Sequence, residues 1–182
     1  MSRASFRAKV APCSCLLATF SFFCFLLQRA PQTVMADSLP RVELTSAAAA
    51  PRAMESRTQQ SIVRDYTYAW KNLADAFDQN SPDLLNGYFT STAQKELATV
   101  VAEQQKSGLR TQYLNQSHKL DIVFYAPEGD VMELHDTAEF DFQLLDGAKV
   151  IHNDHEVLHY VVLLTPGADR WVVRQLQAVT QF

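Results

Sequence analysis

Cysteine is confined to the first 24 residues of this 182-residue chain, as Cys13, Cys15 and Cys24. Everything downstream therefore lacks a thiol, a disulfide and a cysteine metal site. A domain of more than 100 residues can do without such staples, because its hydrophobic core is large enough. Glycine is scarce too, with five residues in all. No stretch resembles a glycine-rich phosphate loop, a nucleophile elbow or a redox cysteine pair. Basic charge is the third shortage. The whole chain carries a formal charge of −4, from 16 basic and 20 acidic side chains. Without Arg3, Arg7, Lys9 and Arg29, and with no acid among residues 1–36, 12 basic side chains face 20 acidic ones, or −8. Nucleic acid is excluded as the expected partner, since neutralising phosphates with Lys and Arg supplies most of that affinity.

The N-terminus is rich in what the rest lacks. Arg3, Arg7 and Lys9 precede an uncharged, mostly apolar run from Val10 to Leu27, and Val34-Met35-Ala36 has the small-residue form of a cleavage site. A basic segment, an apolar segment and an A-x-A-like end specify export. The run is also at the lower edge of what spans a bilayer as a helix, so residues 1–36 read as a signal peptide or a membrane anchor. Pro12, Ser14 and Phe23 precede the three cysteines and do not suit lipidation. With the basic flank held in the cytoplasm, both readings place the remainder outside it, in the periplasm or secreted. Residues 37–56 are rich in Ala, Pro and Ser without an apolar period, which predicts a flexible linker. One domain, 57–182, follows.

Ile62, Val63, Tyr66, Ala69, Trp70, Leu73, Ala74 and Phe77 recur at steps of mostly three and four. That stripe predicts a long amphipathic helix. Ser81 and Pro82 suit the start of a second, short helix with Gly87 as its C-cap. Ser91-Thr92-Ala93-Gln94 has capping-box form and opens a third, ending near Gly108. Beyond Gly108 the period becomes two. Leu120, Ile122 and Phe124 mark one strand face, and Met132, Leu134, Ala138, Phe140, Phe142 and Leu144 another. Asp146-Gly147 predicts a hairpin, and Val150–Thr165 and Trp171–Val179 two more strands. Three helices before an antiparallel meander make an α+β fold, with helices packed on a curved sheet.

Two constellations carry potential chemistry. His155-Glu156-Val157-Leu158-His159 satisfies H-E-x-x-H, which binds zinc only when a helix turns both imidazoles to one ion. Here it leads into Tyr160-Val161-Val162-Leu163-Leu164, a strand-forming run that would hold the two imidazoles about 13 Å apart. His152 and Asp154 add nearby ligand types, yet water-facing strand positions account for them. No metal and no cofactor are expected. Asp136 is the second constellation. Alternation places it on the apolar face of Met132, Leu134, Ala138 and Phe140, unless a bulge turns it out. A carboxyl in such a pocket can act as a general acid or base, with Tyr66 or His118 beside it.

The order of elements from Thr58 to Phe182 resembles the NTF2-like superfamily. The likeness rests on the first helix with Tyr66 and Trp70, the Ser81–Tyr88 and Thr92–Lys106 helices, and the closing Gly167-Ala168-Asp169-Arg170-Trp171-Val172-Val173. It implies a cone with a pocket between the first helix and the concave sheet, and Tyr66, Trp70 and Asp136 are the pocket candidates. It implies no activity, because the fold hosts enzymes and binders alike. No catalytic set is assigned; Asp136 is the one weak candidate. The expectation is an exported or membrane-tethered, non-catalytic NTF2-like domain that binds a partner protein or a small apolar ligand, with a homodimer open. The alternatives are a SnoaL-like isomerase, cyclase or hydrolase using a pocket acid, and a zinc hydrolase through His155, Glu156 and His159.

Overall fold

The computed structural model describes residues 39–46, 50–51 and 53–182. Helix α1, Ser56–Gln79, buries Ile62, Tyr66, Ala69, Trp70, Leu73 and Phe77 of the predicted stripe together with Ala76, while Val63 and Ala74 at its margins are half-buried. Asn80 ends it in the left-handed conformation at φ 51°, and its N–H bonds the carbonyl of Ala76. The same side chain ties the helix to its surroundings, donating to the Leu109 carbonyl at 2.8 Å and accepting from Gln104 at 2.6 Å. Pro82–Gly87 follows as a 3₁₀ helix, and α2 spans Ser91–Ser107, stopped by Gly108 at φ 74°.

Two local expectations fail here. The 3₁₀ helix starts as expected, with Ser81 at the N-cap and Pro82 in its first turn, though Ser81 makes no side-chain capping bond; it ends on Tyr88 rather than Gly87 as its cap. The α2 cap is Thr90, not a Ser91–Gln94 box. Tertiary pairing explains both, since the Thr90 N–H donates to the Val173 carbonyl and the Val173 N–H to Tyr88. The chain between the helices is held by the sheet, not by its own side chains.

The sheet runs in the order β1-β3-β4-β5-β6. Its strands are β1 Arg41–Ser46, β3 Leu109–Tyr125, β4 Met132–Asp146, β5 Lys149–Pro166 and β6 Trp171–Val179. A two-residue strand β2, Ala50–Pro51, lies beside the end of β3. Strands β3 to β6 form the antiparallel meander, and the helices cover its concave face. One core joins α1, Leu85, Phe89 and Val101 to Leu120, Ile122, Met132, Leu134, Val162, Leu164 and Val173.

The expected linker, 37–56, needs correction, because β1 lies inside it and pairs in parallel with Ser117–Asp121 of β3. Within β1 Val42 and Leu44 pack against the core, and Met54 joins them from the same segment. Two alternating apolar residues are too few to give a period, and the strand is specified by its neighbour's free edge. The export segment, 1–36, lies outside the described residues. Among the described residues no helix is long and apolar enough to cross a membrane.

Strand β3 changes face twice, and simple alternation misses both changes. A register shift between Leu114 and Ser117, with Asn115 at φ 53°, separates inward Tyr113 from inward His118. A second shift between Ile122 and Phe124 leaves Phe124 40% exposed and buries Tyr125 instead. Each bulge inserts one unpaired residue and reverses the side-chain phase beyond it.

If β1 belongs to the folded domain, Leu44→Ala should lower stability by about 1–2 kcal/mol, as expected for a half-buried leucine. Glu43→Ala on the outer face should change it by less than about 0.5 kcal/mol. Urea unfolding of both variants checks this; equal, negligible effects would return 41–46 to a linker.

Candidate functional site

Strand β4 keeps strict alternation from Met132 to Phe140, and Asp136 pairs with Leu120 on one side and Tyr160 on the other. No bulge intervenes, so the carboxylate points into the cone and is fully buried. The bulge in β3 brings His118 inward beside it, while the α1 stripe supplies Tyr66 from above. The Tyr66 hydroxyl donates to Asp136 Oδ2 at 2.7 Å, and His118 Nδ1 lies 2.9 Å from the same oxygen, where its Nδ1–H form donates. The His118 and Asp136 side chains have no accessible surface. Asp136 Oδ1 and His118 Nε2 have no hydrogen-bond partner among the described residues.

Trp70 closes this cluster. Its ring centroid lies 4.3 Å from that of His118 and 5.6 Å from that of Tyr160. Tyr66, Trp70 and Asp136, singled out by helical period and strand alternation, are therefore brought together, and Trp70 is 3% exposed. On the other side of Trp70 and Tyr160 lies a cavity of about 170 Å³, lined also by Leu73, Phe77, Leu97, Tyr113, Leu176 and Ala178. Tyr113 and Tyr160 are the cavity residues that sequence reasoning missed. Both were hidden by bulges: Tyr160 comes opposite Asp136 only because β5 carries an extra residue, Ile151, near the hairpin turn, and Tyr113 precedes the bulge in β3.

Burial keeps the phenols of this region protonated. It raises Tyr66 well above the ordinary phenol range, with the Asp136 charge adding to the effect. Burial pushes Tyr113 up to about 12 and raises Tyr160 as well. All three are donors across the physiological range and none is a ready base. Both groups that hydrogen-bond the acid belong to the protein, and Trp70 and Tyr160 stand between it and the cavity.

The H-E-x-x-H residues do lie on a strand, β5. His155 bonds Asp141 at 2.8 Å, whereas His159 contacts Thr137 at 3.2 Å and the Phe182 ring. Glu156 opposes Phe140, on the other face. His152 lies 4.0 Å from Asp154. Among the described residues no three metal-binding side chains converge.

Asp65 is a buried acid that sequence reasoning overlooked. It is 2% exposed, and its Oδ2 accepts the Trp171 N–H at 2.8 Å while Oδ1 accepts from Arg64. It fastens α1 to the start of β6, which gives the closing Asp-Arg-Trp pattern a structural cause.

Removing the Tyr66 hydroxyl strips one of two donors from a buried carboxylate. Tyr66→Phe should destabilise by about 1–3 kcal/mol, measured by thermal or urea unfolding. A neutral result would mean that the Tyr66–Asp136 bond contributes nothing to stability.

No family model matches the sequence, and no curated protein matches it. Solved structures do resemble it. The intermembrane space region of the chloroplast protein ARC6 superposes with a TM-score of 0.56 at 18% identity, over 71% of this chain and 98% of that one. A scytalone dehydratase-like protein of Novosphingobium aromaticivorans gives 0.45 at 10% identity, over 69% and 89%. With its helices laid into the concave face of a strongly curved, mainly antiparallel sheet, the chain has the NTF2-like architecture.

Proposed function

We propose that this chain is an extracytoplasmic, non-catalytic NTF2-like domain that works by binding, with a partner protein or a small apolar ligand as its target. The observation that carries this reading is the enclosure of Asp136. The one acid that alternation aims into the cone is spent on Tyr66 and His118, inside the core and behind Trp70. A carboxylate so held organises α1 against β3 and β4. The walls of the cavity support the ligand side of the proposal, being aromatic and aliphatic apart from two phenols. They suit a small apolar molecule, and their titratable groups are two phenols that burial keeps protonated.

The basic and apolar composition of residues 1–36 supports export, by cleavage or as an anchor. The ARC6 neighbour is itself the intermembrane-space region of its protein. A domain placed outside the cytoplasm should be digested by protease added to intact cells once any outer barrier is opened. Protection until the inner membrane is lysed would contradict the placement.

A SnoaL-like isomerase, cyclase or hydrolase is the rival, and one observation favours it: Asp136 Oδ1 and His118 Nε2 keep unused hydrogen-bonding capacity. Asp136→Asn separates the two readings. As a structural anchor it loses two charge-assisted bonds, and stability should fall by about 1.5–3 kcal/mol. As a pocket acid, its replacement should leave stability unchanged or higher, because functional groups are commonly held at a cost to folding. Chemical denaturation of the two proteins decides, and a stabilised variant would overturn the binding reading.

A further inference from the structure

Two hydroxyls of the cavity behind Trp70 are left without a partner. Tyr113 of β3 and Tyr160 of β5 both line this space of about 170 Å³. Phe77 and Phe140 hold the Tyr113 ring edge-on, at centroid distances of 5.7 and 5.2 Å, and Trp70 holds the Tyr160 ring at 5.6 Å. The third phenol of the region, Tyr66, donates to Asp136. The Tyr113 and Tyr160 hydroxyls bond no described residue. They are not sealed either, since the buried polar atoms without partner or access belong to Gln116, His118 and Asp136. Burial raises both phenols and keeps their O–H groups available as donors. After burial, Tyr113 is the next influence on Tyr160, which places the two hydroxyls near each other. No residue lining the cavity carries a charge.

We infer that this cavity takes an uncharged, single-ring compound whose carbonyl oxygen accepts hydrogen bonds from Tyr113 and Tyr160. The inference rests on the small-ligand side of the binding function proposed above. Volume sets the ring, because an apolar cavity of about 150 Å³ is enough to hold benzene. The space here suits one ring with a short substituent, and Trp70 and Phe77 offer it aromatic surface. The phenols set the substituent. A pure hydrocarbon would strip water from both hydroxyls and return no hydrogen bond, which is costly. A carbonyl oxygen has two lone pairs, one for each donor, and brings no O–H of its own that needs an acceptor. A carboxylate would also accept from both phenols, but no cation lines the cavity to offset the loss of its hydration. The apolar walls thus select the body of the ligand, and the two phenols select its polar end.

Acetophenone and α-methylstyrene test the carbonyl, because they share a shape and differ only by C=O in place of C=CH₂. Benzoate tests the charge. Each is titrated into protein expressed from the whole chain, and binding is read from the amide NMR signals of Leu176 and Ala178, which line the cavity from β6. Water solvates the ketone better than the alkene, so walls without donors would favour α-methylstyrene. Acetophenone should instead bind about 5-fold more tightly than α-methylstyrene, or better, and benzoate should bind most weakly. Tyr113→Phe and Tyr160→Phe keep the rings and remove the hydroxyls. Each should weaken acetophenone roughly 5-fold, and the double variant should reverse the order of ketone and alkene while its circular dichroism stays native. Equal or tighter binding of α-methylstyrene to the intact protein, or a ketone preference that survives the double variant, would overturn the inference and leave the apolar-ligand reading standing. Tighter binding of benzoate than of acetophenone, or no movement of these signals with any probe, would overturn both.

Discussion

One buried carboxylate organises this fold. Asp136 sits at the centre of the concave face, where an unpaired charge would be prohibitively expensive, and each donor that satisfies it arrives from a different element. Tyr66 comes from α1 and His118 from β3. Their convergence dictates the rotation of the helix about its axis and the phase of β3 on its neighbour. A helix turned by one residue would present Asp65 or Thr67 to the acid instead of Tyr66. A β3 without its bulge would turn His118 outward. The apolar contacts around the triad would tolerate either error at modest cost, since they are non-directional. The hydrogen bonds would not. Whatever its role in binding, the cluster therefore selects one packing among several that burial alone would permit.

The same geometry explains how much could be read from the residues in order. The α1 stripe was legible because eight apolar positions share one helical period, and tertiary contacts reinforce a preference already present locally. Asp136 was legible for the opposite reason, as the polar exception on an otherwise apolar strand face. Its donors were only half legible: the helical period placed Tyr66, but His118 depends on a bulge with no local marker beyond Asn115 at positive φ. Strand β1 was not legible at all. Its short Val42–Leu44 alternation acquires meaning only when β3 offers a free edge, 76 residues later where Val42 pairs with His118. The caps of the second and third helices failed for a related reason, since backbone bonds between Tyr88, Thr90 and Val173 do the work assigned to side chains.

H-E-x-x-H shows how context governs a motif. The four-residue separation unites two imidazoles on a helix and separates them on a strand, so the spacing alone carries no chemistry until the period around it is known. Here β-branched residues follow, and each histidine finds its own partner across the sheet: Asp141 for His155 and Thr137 for His159. The hydrogen bond from His155 holds Asp141 below the usual carboxylate range, second to the bond from Asn115, and Asp141 in turn raises His155. The result is an outward-facing polar ladder along the hairpin.

That ladder and the enclosed triad divide the molecule. Near the helices, polar groups turn inward and are consumed in fixing the core. Along the distal half of β4 and β5, they turn outward beside exposed valines and isoleucine, and the backbone edge is left unpaired. Arg110 ties the turn of this hairpin back to α1, bonding both Asp78 and the Gly147 carbonyl. The cavity behind Trp70 and Tyr160 and the outer edge of β5 are separate features, and a substitution at one leaves the other in place.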